Sequence, residues 1–304
     1  MNFPDYNIFL QLQKHLSQRP SLRPAVMVGA GMSLNSNLLS GASSRLPNWD
    51  ELSRAMFEEI YPLINNGTDD QKKELEDKYN RSNALRIASE FEATFNRGQL
   101  NSFLLKSIPD DNHEPSGIHK LLLSLPWKDV FTTNYDRLLE WTYVPERPYQ
   151  VVRSVKELTT AESPRIIKLH GSFPTNEPFI ITEEDYRTYP KNFAPFVNTV
   201  LQSLIENPLV LIGFSGDDPN FLEWIGWIRD ELGEYHSPVY LVGLLSLTNV
   251  DRALLTRRRV TPIDLSPVSE SIISDGNLHA ATLEWFIRSL QTMEPSRPER
   301  WPDL

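Results

Sequence analysis

Short apolar segments alternate along this chain with longer stretches of helical length. The apolar segments are rich in β-branched and aliphatic side chains: Ala25–Val28, Asp129–Phe131, Ile166–Leu169, Leu209–Ile212, Val239–Val242 and Val260–Ile263. Near-continuous apolar strands are typical of a sheet that is covered on both faces, in which crossover helices join parallel strands. The pattern therefore predicts an α/β fold with a doubly wound parallel sheet of about six strands.

Residues 41–125 interrupt this alternation because they contain no convincing strand. Asn48 and Glu51 have the spacing of a capping box, which predicts a helix from Trp49 to about Ile60. A second helix is predicted to end near Gly98, because apolar residues precede it at helical spacing: Ala84, Ile87, Ala88, Phe91 and Phe95. We expect a single domain, 1–304, in which 24–40 and 126–304 form the core and 41–125 form a helical insertion.

Charge and composition exclude several classes of protein. Thirty basic residues against forty acidic residues give a formal charge of −10, which disfavours direct binding of nucleic acid or of an anionic membrane. No apolar run approaches the roughly 18 residues that span a bilayer, and no basic segment precedes an apolar one at the start of the chain. The absence of cysteine excludes disulfides, thiolate zinc sites and a cysteine nucleophile. We expect a cytoplasmic protein.

A turn of small residues, Gly29-Ala30-Gly31-Met32-Ser33, follows the first predicted strand. Such a turn between a strand and a helix lets backbone N–H groups approach a pyrophosphate. The dehydrogenase fingerprint requires a third glycine where Leu34 stands, so an ordinary dinucleotide dehydrogenase is disfavoured. A tight turn without a ligand remains the alternative.

Polar residues also follow the next two strands. Asn134 is an uncharged amide that accepts and donates hydrogen bonds at once, which suits a ribose hydroxyl and a water molecule. Alternatively, Asn134 or Asp136 simply caps a helix predicted over Tyr135–Trp141. His170 lies at a strand end beside Gly171, although a lone histidine is more often structural than catalytic.

A fourth polar turn, Gly213-Phe214-Ser215-Gly216-Asp217-Asp218-Pro219, follows the fourth strand. Its simplest explanation is a helix start, with Asp218 as the N-cap and Pro219 at the first helical position. All four turns nevertheless lie where a predicted parallel strand ends, and ligands of open α/β sheets bind at that edge. Their coincidence predicts one shared ligand site.

Taken in order, the four turns resemble motifs of the sirtuin, or silent-information-regulator, family. The matching patterns are Gly-Ala-Gly-x-Ser at 29–33, Thr-x-Asn-x-Asp at 132–136, His-Gly-Ser at 170–172 and Gly-x-Ser at 213–215. The resemblance implies a Rossmann-like domain that consumes NAD, with Asn134 and His170 as catalytic residues and Asp136 in support. It also implies that the dinucleotide is lined by Gly29, Ala30, Gly31, Ser33, Thr133, Gly171, Gly213 and Ser215.

The chain departs from the protein-deacylating sirtuins in two respects. It lacks the four cysteines of their zinc ribbon, so no zinc is expected, and Pro47-Asn48-Trp49-Asp50 replaces their Pro-Asp-Phe-Arg. It is more similar to the prokaryotic branch that hydrolyses NAD in anti-phage defence. That resemblance implies an NAD⁺ glycohydrolase that depletes NAD in abortive infection, a homo-oligomer, and a defence partner such as a HerA-type ATPase or a short Argonaute.

The chemistry of NAD cleavage suits these residues. Nicotinamide is already a cationic leaving group, so the barrier comes from charge that develops on the ribose carbon and from placement of the water. We expect Asn134 to orient the ribose and the water, and His170 to act as a base with a pKa near 7, without a metal. Two alternatives stay open: an ADP-ribosyl or acyl-transfer enzyme, and a non-hydrolytic nucleotide-binding module that controls assembly with a partner.

Overall fold

The computed structural model describes residues 3–17, 22–41, 45–175, 178–214, 219–233, 235–272 and 277–291. Within them, nine strands follow one another in chain order. They are β1 (Ala25–Val28), β2 (Asn37–Leu38), β3 (His113–Glu114), β4 (Val130–Thr132), β5 (Gln150–Val152), β6 (Arg165–Lys168), β7 (Leu209–Ile212), β8 (Val239–Gly243) and β9 (Val260–Asp264).

Seven of these strands form one parallel sheet in the order β5-β6-β4-β1-β7-β8-β9. All six strands expected from the apolar pattern belong to it, with ends that differ by one residue at most, which confirms the doubly wound α/β fold. The seventh strand, β5, was not expected. It lies at the edge of the sheet, and of its three residues only Val152 is buried, so it lacks an apolar run.

Sixteen α-helices are described alongside the strands. In chain order they are α1 (Tyr6–Leu16), α2 (Ala30–Ser33), α3 (Trp49–Ile60), α4 (Leu63–Asn66), α5 (Asp69–Arg81), α6 (Ala84–Phe95), α7 (Arg97–Ser107), α8 (Gly117–Ser124), α9 (Leu138–Trp141), α10 (Val155–Leu158), α11 (Glu183–Asn192), α12 (Ala194–Glu206), α13 (Pro219–Leu232), α14 (Asn249–Arg257), α15 (Ser266–Ser269) and α16 (Leu278–Gln291). None of the helices in the described part of the chain is long and apolar enough to cross a bilayer.

Helices cover both faces of the sheet. Val26 and Val28 point to one face, which packs against α1, α8 and α16, whereas Met27 points to the other face, which packs against α11, α12 and α13. This alternation follows from the period of two along a strand. Both faces are therefore buried, as the continuous apolar strands require.

The stretch between β1 and β4 is helical apart from the short antiparallel pair β2–β3. The capping box at α3 is confirmed: Asn48 Oδ1 accepts from the Glu51 N–H at 2.8 Å, and Glu51 Oε2 accepts from the Asn48 N–H at 2.9 Å. The expected helix end at Gly98 is wrong. α6 ends at Phe95, its C-cap Asn96 has a φ of 93°, and Gly98 lies inside α7. Asn96 serves both helices because it also caps α7, accepting from the Gln99 N–H at 3.1 Å.

These helices pack over the ends of the sheet strands. Leu52, Phe57 and Phe91 share one apolar cluster with Tyr135 and Phe173, which follow β4 and β6. A second link is an ion pair between Arg137, just before α9, and Asp110, just before β3. The Asp110 carboxylate accepts from Arg137 Nε at 2.9 Å and from Arg137 Nη2 at 2.8 Å. Residues of 45–112 therefore pack over the carboxyl ends of β4 and β6.

Candidate active site

The four polar turns lie side by side at one edge of the sheet. They follow β6, β4, β1 and β7, which are neighbours in that order. The chain builds β4 and β6 on one side of β1 and then crosses to build β7, β8 and β9 on the other side. The strand order thus switches between β1 and β7, where open α/β sheets form their ligand crevice.

The glycine turns after β1 and β7 touch each other through their backbones. Gly29 N–H donates to Ile212 O, and Gly31 N–H donates to Gly213 O, each at 2.9 Å. A Cβ atom on Gly29 would lie 2.6 Å from Gly213 O, and one on Gly213 would lie 2.7 Å from Met32 N. The φ of +80° at Gly213 also favours glycine. Close packing of the two turns therefore already requires these glycines.

A cavity of about 740 Å³ opens beside these turns. Its floor consists of Ala30, Gly31, Gly213 and Phe214, and residues 242–245 extend it past the end of β8. Its walls are completed by the N-cap and first turn of α3, by the junction of α5 and α6, and by α16. These residues are Asn48, Trp49, Asp50, Ser53, Tyr79, Asn80, Ser82, Asn83, Ala84, Ile87, His279 and Leu283. A cavity of this size is large enough for a drug-sized ligand or a cofactor.

Asn134 is held in a single orientation. Its Nδ2 donates to Gly29 O at 3.0 Å and to Ser33 Oγ at 2.9 Å, and its N–H donates to Thr132 Oγ1 at 3.1 Å. Because Gly29 O is a carbonyl, it fixes which end of the amide is the nitrogen. Both amide hydrogens are therefore used inside the protein, and Oδ1 is left as the acceptor that Asn134 presents.

Asp136 supports the orientation of Asn134 through Ser33. Its Oδ2 accepts from Ser33 Oγ at 2.7 Å, and its Oδ1 accepts from the Leu138 N–H at 3.2 Å. Burial raises the pKa of Asp136 even though the Lys168 ammonium and the Ser33 bond favour the charged form. Asp136 thus accepts from the first N–H of α9, but the N-cap residue is Arg137, and α9 is shorter than the expected Tyr135–Trp141.

A second, smaller pocket of about 40 Å³ lies against Asn134. Thr133, Asn134 and Asp136 line one side, and residues 46–49 and Leu52 line the other. It shares three residues with the large cavity: Ala30, Asn48 and Trp49. The two spaces are therefore neighbours, with the start of α3 between them.

His170 occupies the equivalent position on the next strand. Thr132 pairs with Lys168, so Asn134 and His170 each lie two residues beyond the last paired register of β4 and β6. The imidazole itself is buried, at 1% exposure, between the rings of Tyr186 and Tyr189, whose centroids lie 5.4 and 5.3 Å away. His170 is not among the described residues that line either cavity.

Both ring nitrogens of His170 lack a hydrogen-bond partner within the described residues. Burial lowers the pKa of His170 to about 3, with only a small opposing effect of Asp185. The pKa near 7 expected of a base is therefore not found, because desolvation penalises the imidazolium. Two unpaired polar atoms in an apolar site are costly, and such sites often mark a functional role.

The remaining residues of the expected site are placed as follows. Gly171 adopts a φ of +96° directly after His170, which favours glycine at this position. Ser215, together with Asp217 and Asp218, lies outside the described residues.

A buried ion pair connects the turns after β4 and β6 and was missed from the sequence. Lys168 Nζ donates to Asp136 O and lies 3.2 Å from Glu140 Oε1, which also accepts from Ser172 Oγ at 2.6 Å. Burial raises the pKa of Glu140, but the Lys168 ammonium and Ser172 outweigh it and hold that pKa below its usual value. A charged residue between Ile167 and Leu169 in an apolar strand was the available signal.

A second missed pair reaches the large cavity from α16. His279 lines the cavity, and its Nδ1 lies 3.1 Å from Asn35 Oδ1. Asn35 Nδ2 in turn donates to Gly31 O at 3.0 Å and to Met32 O at 3.1 Å. Nothing local in the sequence connects these residues, which are 244 positions apart.

Comparison with known proteins gives this geometry a family context. Residues 128–263 match the family model of the SIR2-like domain. Proteins called NAD(+) hydrolase ThsA are similar to the chain. The protein from Acinetobacter baumannii (strain 532279) is 30% identical over 64% of this chain and 37% of its own length, and that from Enterococcus faecium is 28% identical over 82% and 51%.

Defense-associated sirtuin 2 of Bacillus subtilis is 26% identical over 70% of this chain and 20% of its own length. The chain thus spans between about a fifth and a half of the length of these curated relatives. Among solved structures, a Sir2 homologue in complex with NAD superposes with a TM-score of 0.48 at 13% identity, covering 93% of each chain. Residues 128–263, which run from just before β4 into β9, are thus similar to the SIR2-like domain.

Proposed function

We propose that the chain is an NAD⁺ glycohydrolase, which converts NAD and water to nicotinamide, ADP-ribose and a proton. The observation that carries the proposal is the fixed amide of Asn134, whose free oxygen is presented beside the turn after β1. Relatives named NAD(+) hydrolase ThsA support the same reaction. In this proposal, residues 41–125 act as a helical insertion that covers the site, and residues 24–40 and 126–304 form the core.

The pyrophosphate of NAD would lie over the turns at Gly29–Ser33 and Gly213–Ser215, and the nicotinamide ribose would lie beside Asn134. Asn134 Oδ1 would accept a hydrogen bond from the attacking water or from a ribose hydroxyl. Water then forms a bond to the ribose carbon as the bond to nicotinamide breaks. Nicotinamide leaves as a neutral molecule, and the proton that the attacking water loses passes to solvent. Neutral groups around the ribose favour this step because they add no positive charge that would repel the developing cation, and their dipoles can point toward it.

His170 would act as a neutral hydrogen-bond acceptor for a ribose hydroxyl. A pKa of about 3 keeps the imidazole uncharged at neutral pH, and a ribose hydroxyl would supply the partner that its ring nitrogens lack. In this conformation, however, His170 is outside both cavities, and the pocket at Asn134 holds little more than one water. Binding of the nicotinamide half therefore requires the start of α3, near Trp49, to move.

We further propose that this reaction depletes NAD in anti-phage defence by abortive infection, in the cytoplasm. The relative named Defense-associated sirtuin 2 supports a role in defence. A homo-oligomer and a partner that senses infection, such as a HerA-type ATPase or a short Argonaute, would provide the movement that opens the site. No metal is required, since the leaving group departs without one.

Liquid chromatography of NAD, nicotinamide and ADP-ribose tests the proposal, with the purified chain alone and with a candidate activator. Asn134→Ala and His170→Ala should each lower turnover by about 10² to 10⁴, the scale of a positioned catalytic group. The matched controls are Asn65→Ala on exposed α4 and His236→Ala, which should retain full turnover. Circular dichroism should be unchanged in all four variants.

The same assay separates the two alternative functions. Transfer of an ADP-ribosyl or acyl group would appear as a modified product when an acyl-lysine peptide is supplied. Tight calorimetric binding of NAD without turnover, even with the activator, would indicate a binding module. Retained hydrolysis in both Asn134→Ala and His170→Ala would contradict the proposed roles.

A further inference from the structure

His279 presents one specific atom to the large cavity. Asn35 Nδ2 uses both of its hydrogens on the carbonyls of Gly31 and Met32, so the oxygen of the Asn35 amide must face His279. A carbonyl oxygen only accepts, which makes Nδ1 of His279 the donor. The neutral ring therefore carries its hydrogen on Nδ1, and its Nε2 is an acceptor.

This acceptor is free to meet a ligand. Asn35 is the hydrogen-bond partner of the ring within the described residues, and the half-buried side chain lines the cavity. Burial lowers the pKa of His279 below its usual value, so the ring is neutral at pH 7 and Nε2 retains its lone pair. A neutral acceptor favours a hydroxyl or an amino group and disfavours a phosphate oxygen.

The charge of the cavity points in the same direction. The described residues that line it include no lysine or arginine, and they include one carboxylate, that of Asp50, which accepts from Tyr79 OH at 2.9 Å. A phosphate monoester in this space would add about two negative charges without a cation to compensate them. The wall near His279 is therefore suited to an unphosphorylated sugar.

The strand order indicates which half of the dinucleotide reaches His279. If the nicotinamide ribose lies at the end of β4 and the pyrophosphate crosses the β1 and β7 turns, the adenosine continues toward β8. Neighbouring strands are about 4.8 Å apart, so the distance from β4 to β8 is about 14 Å. Gly243, Leu244 and His279 line the cavity at that end.

We propose that His279 is a specificity-determining residue: its Nε2 accepts a hydrogen bond from a hydroxyl of the adenosine ribose, so that the cavity selects NAD over its 2′-phosphorylated form. Asn35 acts as the positioning residue that fixes the ring to the glycine turn. This inference rests on the proposed function, because it assumes that the dinucleotide crosses the turns after β1 and β7.

Isothermal titration of the full chain with ADP-ribose and with 2′-phospho-ADP-ribose tests the inference without any turnover. The wild-type chain should bind ADP-ribose tighter by on the order of tenfold or more. His279→Ala should weaken ADP-ribose binding by about three- to tenfold, the loss of one hydrogen bond. His279→Arg should raise the affinity for the phosphorylated ligand by on the order of tenfold, since arginine supplies the missing cation. His236→Ala, remote from the cavity, is the matched control and should change neither affinity.

The outcomes separate the role of His279 from the existence of the nucleotide site. A preference for ADP-ribose that falls in both His279 variants supports the assignment. Equal affinities in the wild-type chain, or a ratio that does not move in folded His279→Arg, would overturn it while leaving NAD hydrolysis intact. Failure of the wild-type chain to bind either ligand would overturn the nucleotide site itself, and the role of His279 with it.

Discussion

The Ser33 hydroxyl joins the turn after β1 to the turn after β4 by donating a 2.7 Å hydrogen bond to the Asp136 carboxylate. The same oxygen accepts from Asn134 Nδ2 at 2.9 Å. Asp136 thereby fixes the direction of the Ser33 hydroxyl, and Ser33 fixes the Asn134 amide. Two segments a hundred residues apart thus set the direction of one acceptor oxygen.

Ser33→Ala should disturb catalysis more than stability. The buried Asp136 carboxylate loses a donor, which costs about 1–3 kcal/mol, and the Asn134 amide loses the partner that holds its angle. We expect turnover to fall on the order of 10², the penalty of a small misplacement. Urea unfolding and an NAD-loss assay measure the two effects, with Ser36→Ala as the control. Turnover equal to that of the control would show that the hydrogen bonds of Ser33 to Asp136 and Asn134 do not affect catalysis.

Asp136→Asn should be milder than Asn134→Ala. The asparagine keeps the size of the side chain and one acceptor, and it removes a carboxylate whose pKa burial already raises. We expect turnover to fall less than tenfold, because the group acts through Ser33 and not on the substrate. Steady-state rates of the two variants at one NAD concentration compare them directly. An equal loss in both would contradict a merely supporting role of Asp136.

The apolar pattern was sufficient for the buried strands but not for the edge of the sheet. β1, β4, β6, β7, β8 and β9 were each recognisable as buried strands. β5 was not, because one face of an edge strand meets solvent and its sequence need not be apolar. Similarly, the end of α6 depends on the positive φ of Asn96, which competes with the stronger glycine signal two residues later.

The candidate site was likewise predictable only in part. Motif order predicted that the turns after four strands would meet, because parallel strands share one carboxyl edge. It could not predict which side chains line a cavity. The His170 ring packs between two tyrosines of α11, and His279 reaches the cavity from α16 through Asn35. Such contacts depend on long-range packing, which leaves no local pattern.

Lys168→Met should destabilise the fold. It leaves Asp136 O without its ammonium donor and removes one of the two cations that pair with the buried Glu140. Breaking one partner of a buried pair typically costs 3–5 kcal/mol, which here is reduced by the remaining Arg153 contact. Urea denaturation should show a loss of about 2–4 kcal/mol relative to Lys191→Met on the surface. A difference below about 0.5 kcal/mol would contradict a structural role of the pair.

The buried histidines should make the protein sensitive to acid. Burial lowers the pKa of His170 to about 3 and that of His119 to about 4, from 6.5. As pH falls below 6.5, these histidines become protonated in the unfolded chain but stay neutral in the folded protein. Their contribution to the free energy of unfolding is therefore fully present above pH 6.5 and declines below it. Each histidine contributes a slope of up to about 1.4 kcal/mol per pH unit. His170→Leu should flatten the decline between pH 6.5 and 4.5 in urea titrations, whereas His236→Leu should not. Parallel curves for wild type and His170→Leu would mean that His170 is not buried as a neutral ring.

Two glycines offer a matched test of the contact between the turns. Gly213→Ala places a Cβ atom 2.7 Å from Met32 N and 2.8 Å from Gly29 O, at a φ of +80° that alone costs about 1–3 kcal/mol. Neither backbone atom can yield without moving the turn after β1, so both stability and NAD binding should fall together. Gly226→Ala, inside α13 with no atom within 4 Å of the new Cβ, should gain up to about 1 kcal/mol from helix propensity. Calorimetric melting and ADP-ribose titration of both variants measure the contrast. If Gly213→Ala has the same melting temperature and ADP-ribose affinity as Gly226→Ala, the two turns are not in contact in solution. The cavity would then not be lined by these turns as described.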